Sequence, residues 1–159
     1  MLYYFYYLYF EYEVGKNKHG HIMSNEFDIG YFSTRAKAQE KIQFYKNLSG
    51  FKNHPLDCFK IKKLGVKFET KIKDKSLVDF FVLSHYYSDN DYFDYPTVFP
   101  PFATEKEAKE KMEKIKNEKP FCDYPDEFAI NQFEVDRYTG WTEGFRELDD
   151  DEVEGMLSP

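Results

Sequence analysis

Few residues in this chain stand at spacings that chemistry requires. Cys58 follows His54 by four residues, a pairing that a thiol nucleophile and its base would need. The simpler reading is a small, partly buried thiol beside Phe59 and a histidine on a surface loop, since motif matches this short are common by chance. His19 and His21 would share one face of a strand, and His85 could add a third nitrogen. No Cys or carboxylate stands at ligand spacing to complete a tetrahedral set, so all three read as ordinary surface histidines. Asp89, Asp91 and Asp94 alternate as the acids of a calcium loop do. The sixth position is Asp94 where the sharp turn needs Gly, and the twelfth is Pro100 where a bidentate Glu belongs. The segment therefore reads as a polar hairpin turn. The eight glycines never take phosphate-cradling spacing, and no G-x-S-x-G elbow occurs. Cys122 is not the repeat equivalent of Cys58, so no symmetric metal or redox pair follows. These sets predict no catalytic residue, no metal and no cofactor; an enzyme is not expected.

Charge says more than motifs. The 159 residues carry a net charge of −7, and 20% of them are aromatic. Residues 1–79 hold 14 Lys and Arg against 9 Asp and Glu, which is +5; residues 80–159 hold 8 against 20, which is −12. Such asymmetry bears on partners rather than on fold. Lys60, Lys62, Lys67, Lys71, Lys73 and Lys75 form a basic stripe near aromatic strands, as a base-stacking sheet would. No aromatic-Gly-aromatic signature accompanies it, and lysines also protect sheet edges. An overall acidic chain is a poor match for phosphate. A basic protein is the better partner. The aromatic content excludes a disordered class. No apolar run approaches the roughly 20 residues of a bilayer span, and the start has neither the basic flank nor the cleavage site of a secretory signal. These features predict a cytoplasmic protein without a membrane partner.

The elements that would position such a surface repeat at a period of about 70 residues. Phe32-Ser33-Thr34 matches Phe102-Ala103-Thr104, Ala38 matches Ala108, Phe51 matches Phe121, and Pro55 matches Pro125. After one deletion, Phe59-Lys60-Ile61 through Val66 faces Phe128-Ala129-Ile130 through Val135. Each copy reads strand, strand, helix, strand. Thr34 and Thr104 would cap the helices, with Glu107 completing a capping box. Ala38, Ile42, Tyr45 and Leu48 form one apolar face, and Ala108, Met112 and Ile115 the other. Pro96 marks an edge strand. The predicted fold is α+β: two tandem ββαβ repeats at 1–68 and 78–138, a basic linker at 69–77, and a closing segment with an acidic tail at 139–159. The sheet should be mostly antiparallel with two helices packed on it, the copies either sharing one sheet or packed as a pseudo-two-fold pair. The aromatic runs Tyr3–Tyr12 and Phe80–Tyr87 are too continuous for one-sided strands, so one or both should be central.

This pattern resembles a small family of bacterial α+β domains. The marks are Phe32-Ser33, Ala38, Gly50-Phe51, Pro55, Phe59-Lys60-Ile61 and the closing Trp141-Thr142-Glu143-Gly144-Phe145. The resemblance spans both copies, about residues 3–68 and 78–145. The second copy departs from it at Pro120, which stands where the first has Gly50. Such units are similar to proteins encoded beside bacterial toxins, which implies an immunity role: a non-catalytic acidic protein that neutralises a basic toxin by occupying its active-site cleft or its substrate surface. A ligand-sensing or regulatory domain with a small-molecule cleft between the copies is the alternative. Expected partner contacts are Asp89, Asp91 and Asp94 on the hairpin, Asp123, Asp126 and Glu127 on a loop, and the tail acids Glu147, Asp149, Asp150, Asp151 and Glu152. Tyr92, Tyr124, Tyr138 and Trp141 would supply aromatic anchors, although Trp141 also fits a core position. The tail reads either as a solvated charge block or, through Leu148, Val153, Met156 and Leu157, as a docking segment.

Overall fold

The computed structural model describes residues 1–88 and 94–158, Asp94 by its backbone alone. The fold is α+β. Strand β1 (Leu2–Lys16), β2 (Ile22–Phe32), helix α1 (Arg35–Tyr45) and β3 (Phe59–Lys67) are followed by β4 (Asp79–Ser88), β5 (Asp94–Val98), α2 (Glu105–Ile115), β6 (Phe128–Glu134) and α3 (Asp150–Leu157). They build two separate three-stranded antiparallel sheets, ordered β2-β1-β3 and β5-β4-β6. The two aromatic runs are the central strands. Pro96 lies on edge strand β5, where its missing N–H costs no ladder bond.

Alternation along β1 explains the layering. Tyr6, Leu8, Phe10 and Tyr12 point to the face covered by α1, where Ala38 and Tyr45 are buried and Ile42 and Leu48 pack. Tyr3, Phe5 and Tyr7 point to the opposite face and meet Phe80, Val82, Phe133 and Val135 of the second sheet. Leu83 and Ile130 then face α2 through Ala108, Met112 and Ile115. Four layers result: helix, sheet, sheet, helix. Both strands are buried on both sides, which is why their apolar residues run on instead of alternating with polar ones. The middle layer is built of rings, with Phe5 and Phe80 edge-to-face at 5.4 Å and Tyr31 and Phe80 at 4.8 Å. Such pairs add about 0.5–1.5 kcal/mol each beyond the area they bury.

The helix starts follow the capping chemistry. Thr34 accepts from the Lys37 amide, and Thr104 and Glu107 close a full capping box. The basic linker is less solvated than its lysines imply. Ile72 packs on the inter-sheet core as Phe68 just before the linker does, and Lys75 lays its ammonium over Phe5 while donating to the Tyr4 carbonyl at 2.7 Å. Burial lowers the pKa of that ammonium.

The chain after β6 returns to the first half. Thr139 pairs with Gly30, and the Gly140 amide donates to Ile29 at 2.8 Å. Phe145 then enters the first core, and its amide donates to Ser49 at 2.9 Å. Two glycines permit that approach. A Cβ on Gly50 would lie 2.5 Å from the Phe145 carbonyl oxygen, and one on Gly144 would lie 2.3 Å from that of Ser49. Both take a φ of 82°, which suits glycine alone. The acidic tail is ordered as α3. Asp149 and Glu152 form its capping box, Arg146 pairs with Glu152 at 2.6 Å, and Leu157 packs against Gly15 of β1. Among the described residues, no helix is long and apolar enough to cross a membrane.

Candidate partner-binding surface

The residues expected to meet a partner fall into two groups. The first surrounds Tyr87 at the end of β4. Tyr87 stacks on Tyr124 at 4.1 Å and on Tyr95 at 5.0 Å, both with planes about parallel. The loop carrying Tyr124 is held to β4 by the Tyr86 amide, which donates to the Glu127 carbonyl at 3.2 Å. Asp123, Asp126 and Glu127 on this loop are exposed; Asp123 makes a loose 4.0 Å pair with Lys119 and accepts from the Cys122 thiol at 3.8 Å. Three exposed acids therefore share the loop that adds Tyr124 to a column of three tyrosines. Asp89, Asp91 and Tyr92 lie outside the described residues, and of Asp94 only its backbone pairing with Ser88 is described.

Beneath this column lies His85. Its place on the inward-pointing row with Phe81 and Leu83 buries it completely. This overturns the surface reading: the alternation of β4 decides which side a residue faces, and position 85 faces in. Phe121 and Phe128 meet its ring edge-on at 4.9 and 4.6 Å. Its Nε2 lies 2.9 Å from the Tyr124 carbonyl, which can only accept, so Nε2 donates. Nδ1 has no hydrogen-bond partner among the described residues. His54 is likewise not loop surface. It stacks on Tyr12 at 4.0 Å and pairs with Glu147 at 2.9 Å. Burial and then Asp57 push the Cys58 thiol up, the reverse of what a nucleophile needs. Among the described residues, no three His, Cys, Asp or Glu side chains are grouped to hold a metal ion.

The second group belongs to the returning segment. Trp141 is 45% exposed and lies edge-to-face on Phe27 at 4.6 Å. Its φ of 61° is strained for so large a residue, at a cost on the order of 1 kcal/mol or more. Tyr138 is exposed nearby in sequence. The tail acids are mostly committed to structure: Glu147 to His54, Asp149 and Glu152 to the cap of α3. Asp150 and Asp151 stand exposed in its first turn, where the helix dipole favours them.

A third acidic group lies on the nominally basic half. Register places Glu11 directly opposite Glu26, two pairs along from Tyr9 opposite Asp28 and so on the same face. Burial, then Glu11, raises the Glu26 carboxyl. Burial, then both glutamates, raises the Tyr9 hydroxyl, and partial burial raises Asp28, which accepts from the Tyr7 hydroxyl. The count of charges hid this cluster because β2 had to pair with β1 before Glu11 could meet Glu26. A carboxyl raised by folding binds protons more readily in the folded state, so its contribution to stability falls as pH rises from the unfolded value through the folded one. Glu26→Gln is expected to stabilise the chain at pH 7 by about 0.2–1 kcal/mol, the range for relieving a like-charged cross-strand pair. The gain should vanish near pH 3, and an equal gain at both pH values would assign it to something other than charge.

No family model, curated protein or solved structure matches this chain.

Proposed function

We propose that this chain is a non-catalytic binding protein that engages a basic partner, most specifically an immunity-type protein that neutralises a basic bacterial toxin in the cytoplasm. The observation that carries the reading is that the loop bringing Tyr124 onto the stacked Tyr87 and Tyr95 also exposes Asp123, Asp126 and Glu127. Acids steer a basic partner into encounter, and packed aromatics slow its departure. Trp141 offers a further exposed anchor on the returning segment. We also propose that the two halves are copies of one ββαβ unit of the family named by the sequence marks. That is supported by the matching strand orders and by Thr34 and Thr104 capping helices of equal length.

A ligand-sensing role is the second reading. It is favoured by an open groove of about 580 Å³ between the halves, lined by Leu2, Lys67, Phe99, Phe102, Lys111 and Lys114 among others. Affinity capture from the native host at 50 and 500 mM salt separates the two. The toxin reading expects a basic protein that is released as the Debye length shrinks, and whose growth-inhibiting activity is suppressed when the chain is added back. Capture of a neutral or acidic protein regardless of salt, or a basic one whose activity the chain leaves intact, would sink it.

A further inference from the structure

We propose that the second half carries, uncovered by any described residue, the counterpart of the seat that Phe145 fills in the first, and that this seat receives one aromatic side chain presented by a basic segment of the partner. The inference rests on the basic-partner reading above and adds where and how the partner is held.

Register identifies the counterparts. Phe10 lies opposite Phe59 in the first sheet, and His85 lies opposite Phe128 in the second. Phe51 and Phe121 each open the turn that follows α1 or α2. Phe10 meets Phe51 and Phe59 edge-on at 4.9 and 4.8 Å. His85 meets Phe121 and Phe128 edge-on at 4.9 and 4.6 Å. Two residues along each central strand, Tyr12 stacks on His54 at 4.0 Å and Tyr87 stacks on Tyr124 at 4.1 Å. The two halves thus present matching rings with the same outer stack, except that Thr97 stands opposite His85 where Phe27 stands opposite Phe10.

They differ in what lies on top. In the first half Phe145 stacks on Phe27 at 4.3 Å, meets Phe51 at 4.8 Å and lies parallel to Tyr12 at 6.0 Å. Phe51 is left 1% exposed and Phe59 7%. In the second half no described segment takes that place, and Phe121 and Phe128 both remain partly exposed. The buried Nδ1 of His85 has no hydrogen-bond partner there among the described residues. A ring cluster with exposed edges and an unsatisfied buried polar atom is an unfinished core.

Pro120 and the exposed acids define the occupant. In the first half the backbone of Phe145 reaches the Gly50 position closely enough that a Cβ would collide with it. Pro120 puts a ring at the corresponding point, so a second copy of residues 141–147 could not follow the same path. A lone side chain can still enter from the open side. Asp123, Asp126 and Glu127 are exposed on the loop between Phe121 and Phe128 and select positively charged neighbours.

The test uses a capped peptide of sequence Lys-Arg-Phe-Arg-Lys and the same peptide with alanine at its centre, titrated into the full chain while the ring NMR signals of Tyr87, Tyr124 and Phe121 are followed. The expected result is saturable shifts at those rings and at least tenfold weaker binding of the alanine peptide. Tyr124→Ala should erase the difference between the peptides. The double variant Asp126→Asn/Glu127→Gln, both at exposed positions, should weaken the two peptides alike. Equal binding of both peptides that is lost in the amide variant would overturn the aromatic seat and leave the basic-partner reading standing. No binding of either peptide would overturn the seat and the acidic-loop reading together. Shifts confined to Trp141 and Phe27 would overturn the seat in favour of the first half.

Discussion

Phe145→Ala is expected to cost about 3–5 kcal/mol of stability, the range for truncating a buried phenylalanine in a core that cannot collapse around the gap. Phe145 is 6% exposed and touches the rings of Phe10, Tyr12, Phe27, Phe51 and His54. Its loss would also release the segment that carries Gly140, whose carbonyl accepts from the Tyr45 hydroxyl at 2.5 Å. Urea unfolding monitored by Trp141 fluorescence measures the effect, because the indole reports on this segment directly. Phe121→Ala is the control. Phe121 is the second-half counterpart of Phe51, which Phe145 covers in the first half; it is partly exposed, so its truncation should cost less than half as much. Equal losses at the two positions would mean that the second cluster is as well sealed as the first, and the proposed seat would lose its basis.

The second large effect is expected at Asp136. This residue sits just beyond β6 in the left-handed region, at a φ of 61°. Its carboxylate accepts from the Ser33 amide at 2.9 Å, the Ser33 hydroxyl at 2.5 Å and the Lys37 ammonium at 2.9 Å. One side chain from the second half thereby fastens the start of α1 in the first. Burial alone would raise this carboxyl, but the Ser33 hydroxyl, Lys37 and the Ser33 amide outweigh it and hold it below the usual carboxylate range. A depressed folded pKa means stability that is present above the unfolded value and is lost as pH falls through the folded one. Asp136→Asn keeps the shape and tolerates the left-handed backbone, so it isolates the charge. The expected cost at pH 7 is about 1.5–3 kcal/mol, the range for hydrogen bonds to a charged group. The difference between the two proteins should shrink towards zero near pH 2. A cost that stays constant with pH would assign the role of Asp136 to geometry.

The sequence by itself determined the local elements, because their signals act within a few residues. Thr34 and Thr104 cap helices whose apolar faces fall at i, i+4 and i+7 from Ala38 and Ala108, and both helices are present. The aromatic runs are central strands because a strand buried on both faces needs apolar residues at every position. The inward position of His85 was also legible, since alternation from Phe81 and Leu83 reaches it. The capping box of α3 could be read as Asp149 followed three residues later by Glu152.

Whatever depended on distant pieces of chain meeting was left to the tertiary structure. Two sheets or one cannot be told from strand patterns, because both arrangements bury the same residues. Glu11 and Glu26 become a like-charged pair only when register sets them opposite. The closing Trp141–Phe145 segment follows the second half in sequence yet completes the first core, since the gap it fills lies beside Gly50 and Ser49, about a hundred residues earlier. Pro120 against Gly50 was visible from the start as a mismatch between copies. Its meaning required the packed molecule, because a glycine needed for the close approach of another backbone looks the same in sequence as one that merely ends a helix.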